Sequence, residues 1–176
     1  DAYFFSVYDC YSLALESVRN FVAVMLPVFR ELHHAWLELR TKSIQTKPLL
    51  NVEPLERVVA AFSLTPTAVA QSVEYKAPTV ERRIEAMGSL ADHGWPIGLR
   101  FDPLIAGMHW ERHYRDLFAA VFARISPESI HSVSYGPLRF PKSMYRDIVK
   151  LYPDEMVFAE EMTTETGMAA YPASLE

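Results

Sequence analysis

One stretch of the chain reads Val58-Val-Ala-Ala-Phe62 without a polar residue, and it ends in the loop Ser63-Leu-Thr-Pro66. A continuous apolar run of this length is typical of a strand that is covered on both faces, as in a parallel sheet. A second short run, Ile97-Gly-Leu-Arg-Phe101, is closed in a similar way by Asp102 and Pro103. Two such strands separated by a helix predict the βαβ unit of an α/β fold.

Helical and strand patterns alternate along the rest of the chain. Between the two strands, Thr79 is a predicted N-cap, Gly94 follows the predicted helix end, and apolar residues from Val80 to Leu90 share one face. Further helices are predicted over residues 110–125 and from about residue 141, the latter with Met144, Ile148 and Leu151 turned inward. Further strands are predicted over residues 35–40, 132–135 and 156–158. With right-handed crossovers, this order predicts a barrel or an open sheet in one domain over residues 1–176.

The first helix is predicted over residues 13–32, with Ser12 as its N-cap. Pro27 lies inside the pattern, so we expect a kink there or a second helix that begins at Pro27. The predicted buried face consists of Val18, Phe21, Val22, Met25, Phe29 and Leu32.

The composition is that of a globular chain without a global basic field. Half of the 176 residues are hydrophobic, and 17 Lys and Arg against 22 Asp and Glu give a net charge of −5. This charge does not indicate a nucleic-acid partner. A local basic patch is compatible with it. No apolar run approaches the roughly 20 residues that cross a bilayer, and no leader-like segment precedes the first helix. We expect a cytoplasmic protein with no membrane span, and a processed product or a fragment.

The single cysteine, Cys10, limits the redox and metal chemistry of the chain. One thiol excludes an intrachain disulfide framework, a cysteine-rich zinc site and a self-contained iron–sulfur cluster. Cys10 lies in an aromatic stretch, where an inert buried thiol is the alternative to a reactive one. His109 and His113 stand at helical spacing, and a surface position is the alternative to a metal site for them.

In parallel α/β folds, functional groups collect in loops at the carboxyl ends of the strands. Lys42 in such a loop suits a carboxylate or a phosphate, and a solvated lysine is the alternative. Ser63 can bond a ribose or a carboxylate, or cap a loop, and Asp102 can be a catalytic carboxylate or a turn residue. The residues that we expect on one common rim are Thr41, Lys42, Ser43, Ser63, Thr65, Asp102, Gly136 and Arg139.

Arg100 and a separate stripe of cations have two interpretations each. Arg100 lies inside a predicted strand beside Gly98, where a charge needs a partner or a water-filled interior, so it is either a ligand contact or part of an ion pair. A stripe of cations follows the last strand, and it either meets the phosphates of DNA or forms a solvated helix face. This stripe consists of Arg139, Lys142, Arg146 and Lys150.

Six segments, taken together, resemble one family. They are Glu38-Leu-Arg-Thr-Lys-Ser43, Glu56-Arg-Val-Val-Ala-Ala-Phe-Ser-Leu-Thr-Pro66, Arg82-Arg-Ile-Glu-Ala-Met87, Gly94-Trp-Pro-Ile-Gly-Leu-Arg-Phe-Asp-Pro103, Trp110-Glu-Arg-His-Tyr114 and Leu138-Arg-Phe-Pro141. Their order and spacing resemble the spore photoproduct lyase family of radical S-adenosylmethionine enzymes, from about residue 12 to about residue 161.

The resemblance implies a partial (β/α) barrel, of which this chain holds about four to five parallel strands alternating with helices. It also implies S-adenosylmethionine and a four-iron, four-sulfur cluster as cofactors, and in spore photoproduct lyase a carbon–carbon bond cleavage that repairs thymine dimers in DNA. By position, Lys42 matches a lysine at the amino-acid end of S-adenosylmethionine, and Ser63 matches a cofactor-contacting serine. We add Arg100 as a third candidate cofactor contact.

The chain departs from the family at its cysteines. The CxxxCxxC motif of the family cannot occur in a chain with one cysteine, so the cluster is expected only in the parent protein. Cys10 lies one residue from the position of the family's hydrogen-donor cysteine, which falls at Asp9, and it is the catalytic candidate that the resemblance implies.

Two main hypotheses follow. The chain is the carboxyl-terminal part of a radical S-adenosylmethionine barrel, inactive by itself, or it is a binding or assembly module that kept the barrel segments without the chemistry. An ordinary α/β hydrolase has little support, because no Gly-x-Ser-x-Gly elbow occurs. An incomplete barrel leaves sheet edges unpaired, so we also expect a homo-oligomer.

Overall fold

The computed structural model describes residues 2–6, 12–153, 155, 158, 162–165 and 167–172. Its main feature is a parallel sheet in the order β1-β2-β3-β4-β5. The strands are β1 (Ala2–Phe5), β2 (Ala35–Thr41), β3 (Val58–Ser63), β4 (Ile97–Leu104) and β5 (Ile130–Pro137). Each strand pairs in parallel with the next one along the chain.

The sheet is curled into a half-barrel. Trp36 of β2 and His131 of β5 have ring centroids only 4.7 Å apart. Their strands are three positions apart in the sheet, which at about 4.8 Å per position would separate them by roughly 14 Å if the sheet were flat. The two rings therefore meet across a concave face, and the expected partial barrel of about five parallel strands is confirmed.

Helices connect the strands. They are α1 (Glu16–Arg19), α2 (Phe21–Glu31), α3 (Lys47–Leu50), α4 (Thr67–Val73), α5 (Val80–His93), α6 (Trp110–Arg124) and α7 (Lys142–Leu151). Short 3₁₀ turns lie at Ser12–Leu15 and Pro127–Ser129. A small antiparallel sheet, in the order β6-β8-β7, contains β6 (Arg139–Pro141), β7 (Thr163–Glu165) and β8 (Met168–Ala170).

Alternation along each strand divides the side chains between two faces. On β3, Ala60 and Phe62 belong to the main core under the helices, whereas Val59 and Ala61 are fully buried but lie outside that cluster. The same alternation puts Glu38 of β2 and Arg100 of β4 on the concave face, because neighbouring residues of a strand point to opposite sides. The run from Val58 to Phe62 is apolar throughout because both faces of β3 are covered.

Helix α5 begins and ends where its sequence predicts. Thr79 Oγ1 accepts a hydrogen bond from Arg82 N (3.4 Å), and Gly94 adopts φ 100°, a left-handed conformation that favours glycine. Trp95, directly after this stop, is 1% exposed and donates from Nε1 to Leu49 O (3.1 Å). The helix is therefore capped at both ends, and the residue after its end is bonded to α3.

The predicted first helix is wrong in where it breaks. The interruption falls at Asn20 (φ 49°), and Pro27 lies inside α2. Both carboxylate oxygens of the buried Glu16 accept from Val22 N, at 3.1 and 3.2 Å, so a side chain from the preceding turn caps α2. Val18, in the short α1 before the break, and Leu32, which follows the last residue of α2, are exposed and not buried.

Three other expectations differ from the structure. In α7, Met144 and Leu151 are exposed, since this helix packs on the small sheet and not under the barrel. Strand β1 was not predicted, because four exposed residues give no burial pattern. The strand predicted over residues 156–158 lies outside the described residues except for Phe158.

Candidate functional site

A buried carboxylate joins the loops at the carboxyl ends of β2 and β3. Lys42 follows β2 directly, and its Nζ lies 2.8 Å from Glu74 Oε1. Thr65, in the loop after β3, donates from Oγ1 to the same oxygen at 2.9 Å. Arg83 NH2 pairs with the other oxygen, Glu74 Oε2. We call these four residues the Glu74 cluster.

Arg83 anchors this cluster to the sheet. Its side chain is 1% exposed although it lies on α5, near the start of the helix. Arg83 Nε donates to Pro78 O (2.9 Å) and NH1 donates to Ser63 O (3.2 Å), which is the last residue of β3. One guanidinium thus connects the end of a strand, a loop and the carboxylate of Glu74.

The electrostatics of the cluster favour an ionised Glu74. Burial raises the pKa of its carboxyl, but hydrogen bonds from Arg83 and Lys42 outweigh burial and leave that pKa below its ordinary value. Two cations against one anion give the cluster a net charge of +1. A buried or half-buried positive charge at a strand end suits an anionic ligand group.

The Lys42 end of the cluster opens on a cavity of about 420 Å³. Lys42 is 29% exposed in its side chain, against 6% for Glu74, so it is the accessible member of the pair. The other lining residues come from the first 3₁₀ turn and from two loops, and they include a second cation, Lys76. They are Ala14, Ser43, Ile44, Gln45, Tyr75, Lys76, Ala77 and Pro78.

The concave face holds a second buried ion pair. Arg100 Nε lies 3.0 Å from Glu38 Oε1 and NH2 lies 2.6 Å from Glu38 Oε2. Ser132 of β5 receives two more bonds, at its carbonyl and hydroxyl oxygens, and NH1 also donates to Leu99 O. All five N–H groups of Arg100 therefore have protein acceptors. This arrangement corresponds to the ion-pair interpretation of Arg100 and not to a ligand contact.

The pKa of Glu38 follows the same logic as that of Glu74. Burial raises it, while the hydrogen bond and the charge of Arg100, with a smaller contribution from Arg40, lower it below the ordinary value. Burial also lowers the pKa of His131, and the positive charge of Arg100 adds to that effect. The interior of the half-barrel therefore holds an ionised pair and favours a neutral imidazole.

The structure brings together some of the residues that we expected on one common rim. Lys42, Ser63 and Thr65 meet through Glu74 and Arg83, and Ser63 stands opposite Arg100 in the register of β3 and β4. Asp102 is exposed and lies beside Gly136 of β5. Arg139 borders a separate cavity of about 360 Å³ with Trp110, Tyr135 and Tyr171.

The remaining candidates lie elsewhere. Lys142, Arg146 and Lys150 are exposed along α7, and Arg139 is exposed on β6. His109 is the exposed N-cap of α6 at φ 61°, and its carbonyl oxygen accepts a helical hydrogen bond from His113 N (3.1 Å). Cys10 lies outside the described residues.

Sequence reasoning missed Glu74, Arg83 and Glu38. Glu74 follows a short helix, α4, that we did not predict, and Arg83 entered only as part of the segment 82–87 that carries the family resemblance. Glu38 lies in a predicted strand and alternates with Leu37 and Leu39. A charged residue between buried apolar ones, matched by Arg100 inside another strand, was the available signal.

Comparisons with known proteins agree with this geometry. A model of the spore photoproduct lyase family matches residues 9–172. The spore photoproduct lyase of Bacillus subtilis (strain 168) is 28% identical over 127 residues, which are 71% of this chain and 37% of that protein. A solved mutant spore photoproduct lyase with bound AdoMet and dinucleoside spore photoproduct has a TM-score of 0.81 at 17% identity. A second mutant, with dinucleoside spore photoproduct, has a TM-score of 0.82 at 18% identity.

These structural matches cover 98% of this chain and 54% of the solved chains, so the chain spans about half the length of those relatives. The curled sheet of five parallel strands has the half-barrel fold of these solved enzymes. The chain belongs to the spore photoproduct lyase family. Across the described ranges, no helix is both long and apolar enough to cross a membrane.

Proposed function

We propose that this chain supplies the cofactor-facing, carboxyl-terminal part of a radical S-adenosylmethionine enzyme that repairs thymine photoproducts in DNA. The observation that carries the proposal is the family match over residues 9–172, together with a solved relative that holds AdoMet and a dinucleoside spore photoproduct. This enzyme works in the cytoplasm, where its nucleic-acid substrate lies.

S-adenosylmethionine binds at the rim that carries Lys42 and Ser63. The ligand ends in an amino acid with a carboxylate, and the Glu74 cluster offers a net positive charge beside a cavity of about 420 Å³. Lys42 contacts the carboxylate, because only one of its three N–H donors is needed for Glu74. Ser63 contacts the same cofactor from the end of β3. Arg100 acts through its pair with Glu38, fixing the concave wall under the ligand. When bound, the cofactor supplies the hydrogen-abstracting chemistry of the family.

The iron–sulfur cluster does not fit the residues of this chain. A four-iron cluster takes thiolate ligands, and the sequence offers Cys10 alone. The cluster ligands of the working enzyme therefore come from outside these 176 residues, and Cys10 serves as a hydrogen donor at most. The gene is expected to encode CxxxCxxC within roughly a hundred residues upstream of Asp1, and an upstream sequence without that motif would contradict the proposal.

DNA contacts the exposed cations of β6 and α7, namely Arg139, Lys142, Arg146 and Lys150. All four side chains are exposed, and β6 and α7 follow the carboxyl end of β5, which is paired with β4. A local stripe of this kind can bind phosphates in a chain whose net charge is negative. Neutralising three of them would lower the salt dependence of DNA binding, whereas a solvated face would show no change.

Cofactor binding by the chain itself is the direct test. At 100 times its dissociation constant, S-adenosylmethionine is expected to add about 2.7 kcal/mol to the free energy of unfolding. Lys42→Met is expected to abolish most of this gain, while Lys47→Met, at an exposed position on α3, preserves it. Absence of any gain in the native chain would favour the non-catalytic binding module over the enzyme.

A further inference from the structure

Glu74 occupies the centre of the cluster although no motif of the sequence pointed to it. Its carboxylate meets Lys42 from the β2 loop, Thr65 from the β3 loop and Arg83 from α5. Glu74 itself follows the last residue of α4. One carboxylate thus ties together segments that connect the strands on both sides of β3.

The three partners of Glu74 differ in exposure. The side chains of Arg83 and Glu74 are 1% and 6% exposed, and they form a pair that is complete inside the protein. Lys42 is 29% exposed and borders the cavity of about 420 Å³. A structural role would need only the inner pair, so the position of Lys42 calls for a separate explanation.

A lysine side chain has a flexible four-carbon stem. It loses much rotamer freedom when it holds a ligand in one place. A contact that fixes its ammonium before the ligand arrives removes part of that cost. Glu74 Oε1 makes such a contact with Nζ at 2.8 Å, and the hydroxyl of Thr65 orients the same oxygen.

We propose that Glu74, held by Arg83 and Thr65, is a positioning residue that fixes the Lys42 ammonium for the carboxylate at the amino-acid end of the cofactor. This inference rests on the proposed function, because it assumes that S-adenosylmethionine binds at this rim. It assigns Glu74 no contact with the ligand. The nearest wall of the cavity, formed by Lys42 and Ser43, takes that role.

Two variants separate positioning from simple stability. Glu74→Gln keeps the size of the side chain but removes its charge, and it leaves the buried Arg83 without a counterion. Thr65→Val keeps every charge and removes only the hydroxyl that orients Glu74 Oε1. The matched control is Asp92→Asn, which breaks an ion pair between Arg124 and an exposed residue of α5, away from the cluster.

The test is isothermal calorimetry with two probes. S-adenosylmethionine carries the amino-acid end, and 5′-methylthioadenosine has the same nucleoside without it. We expect both cluster variants to bind S-adenosylmethionine about tenfold more weakly, equivalent to about 1.4 kcal/mol, and to bind methylthioadenosine as the native chain does. The Asp92→Asn control is expected to match the native chain for both probes.

Each other outcome is decisive. Unchanged affinity for S-adenosylmethionine in Thr65→Val and in a folded Glu74→Gln would overturn the positioning role and leave the proposed function intact. Equal weakening of both probes would also overturn it, since a collapsed site does not distinguish the two ends of the ligand. A native chain that binds neither probe would overturn the proposed function together with this inference.

Discussion

Arg100 reaches across one intervening strand to hold both carboxylate oxygens of Glu38, at 3.0 and 2.6 Å. The strand between them, β3, presents Val59, Ala61 and Ser63 to the concave face, and the small side chain of Ala61 lets the guanidinium lie over it. A Cβ at Gly98 would lie 2.9 Å from Arg100 NH2, which shows that the guanidinium passes directly over that glycine. Small residues on β3 and β4 thus create the space in which a charged pair replaces an apolar barrel interior.

Breaking this pair from one side is expected to be costly. Arg100→Met leaves Glu38, which is 1% exposed, without its main counterion, and a lost partner of this kind costs about 3–5 kcal/mol. Urea denaturation measures the change. Arg112→Met, which removes an ion pair exposed to solvent on α6, is expected to leave the unfolding midpoint unchanged. Equal effects of the two substitutions would contradict a buried, coupled pair.

Gly98 is expected to tolerate no side chain. Its added Cβ would meet Ala61 Cβ at 2.9 Å as well as the guanidinium of Arg100, so Gly98→Ala is predicted to cost about 1–3 kcal/mol. Gly107 offers the matched control, since a Cβ there meets nothing within 4 Å. Thermal unfolding of both variants checks the contrast, and a neutral Gly98→Ala would mean that the guanidinium does not lie over β4 as described.

Acid is expected to destabilise the chain through Glu38 and Glu74, whose buried carboxylates are paired with cations. The pKa values of Glu38 and Glu74 lie below the ordinary 4.5, so the folded state holds fewer protons on these groups than the unfolded state. Their contribution to stability is therefore complete above pH 4.5 and is lost as the pH falls from there through the lowered values. Urea midpoints between pH 7 and pH 3 measure this loss. Glu38→Gln is predicted to flatten the curve below pH 4.5, and an unchanged curve would count against the pKa shift.

The sequence predicted the order of the sheet well where burial leaves a pattern. Strands β2 to β5 and the two ends of α5 follow from apolar runs and from Thr79 and Gly94, because local backbone chemistry determines them. The break at Asn20 was not predicted, since it depends on Glu16, a charged residue that reaches over a turn to cap the next helix. Such a contact becomes visible only when the two segments are placed in space.

The candidate site was predicted at its rim and missed at its centre. Lys42 and Ser63 follow from a rule about strand ends, which needs no knowledge of tertiary contacts. Glu74 and Arg83 are joined to them by pairings that cross nine or more residues of sequence, and no periodicity encodes such pairings. The charge balance of the candidate site therefore comes from the fold, while Lys42, which borders the cavity, can be chosen from the sequence.

The exposed edge of the half-barrel is expected to make the chain self-associate. Within the described residues, β1 pairs with β2 alone, and Tyr3, Phe4 and Phe5 are 40%, 50% and 59% exposed. An apolar strand with a free edge recruits another chain, and a charge on it opposes that pairing. Light scattering and sedimentation velocity are expected to show dimers or larger species that increase with concentration. Phe5→Lys is predicted to shift the population toward monomer, whereas Val24→Lys, at an exposed position on α2, leaves it unchanged. A native chain that stays a single monomeric species at all concentrations would show that this edge does not pair.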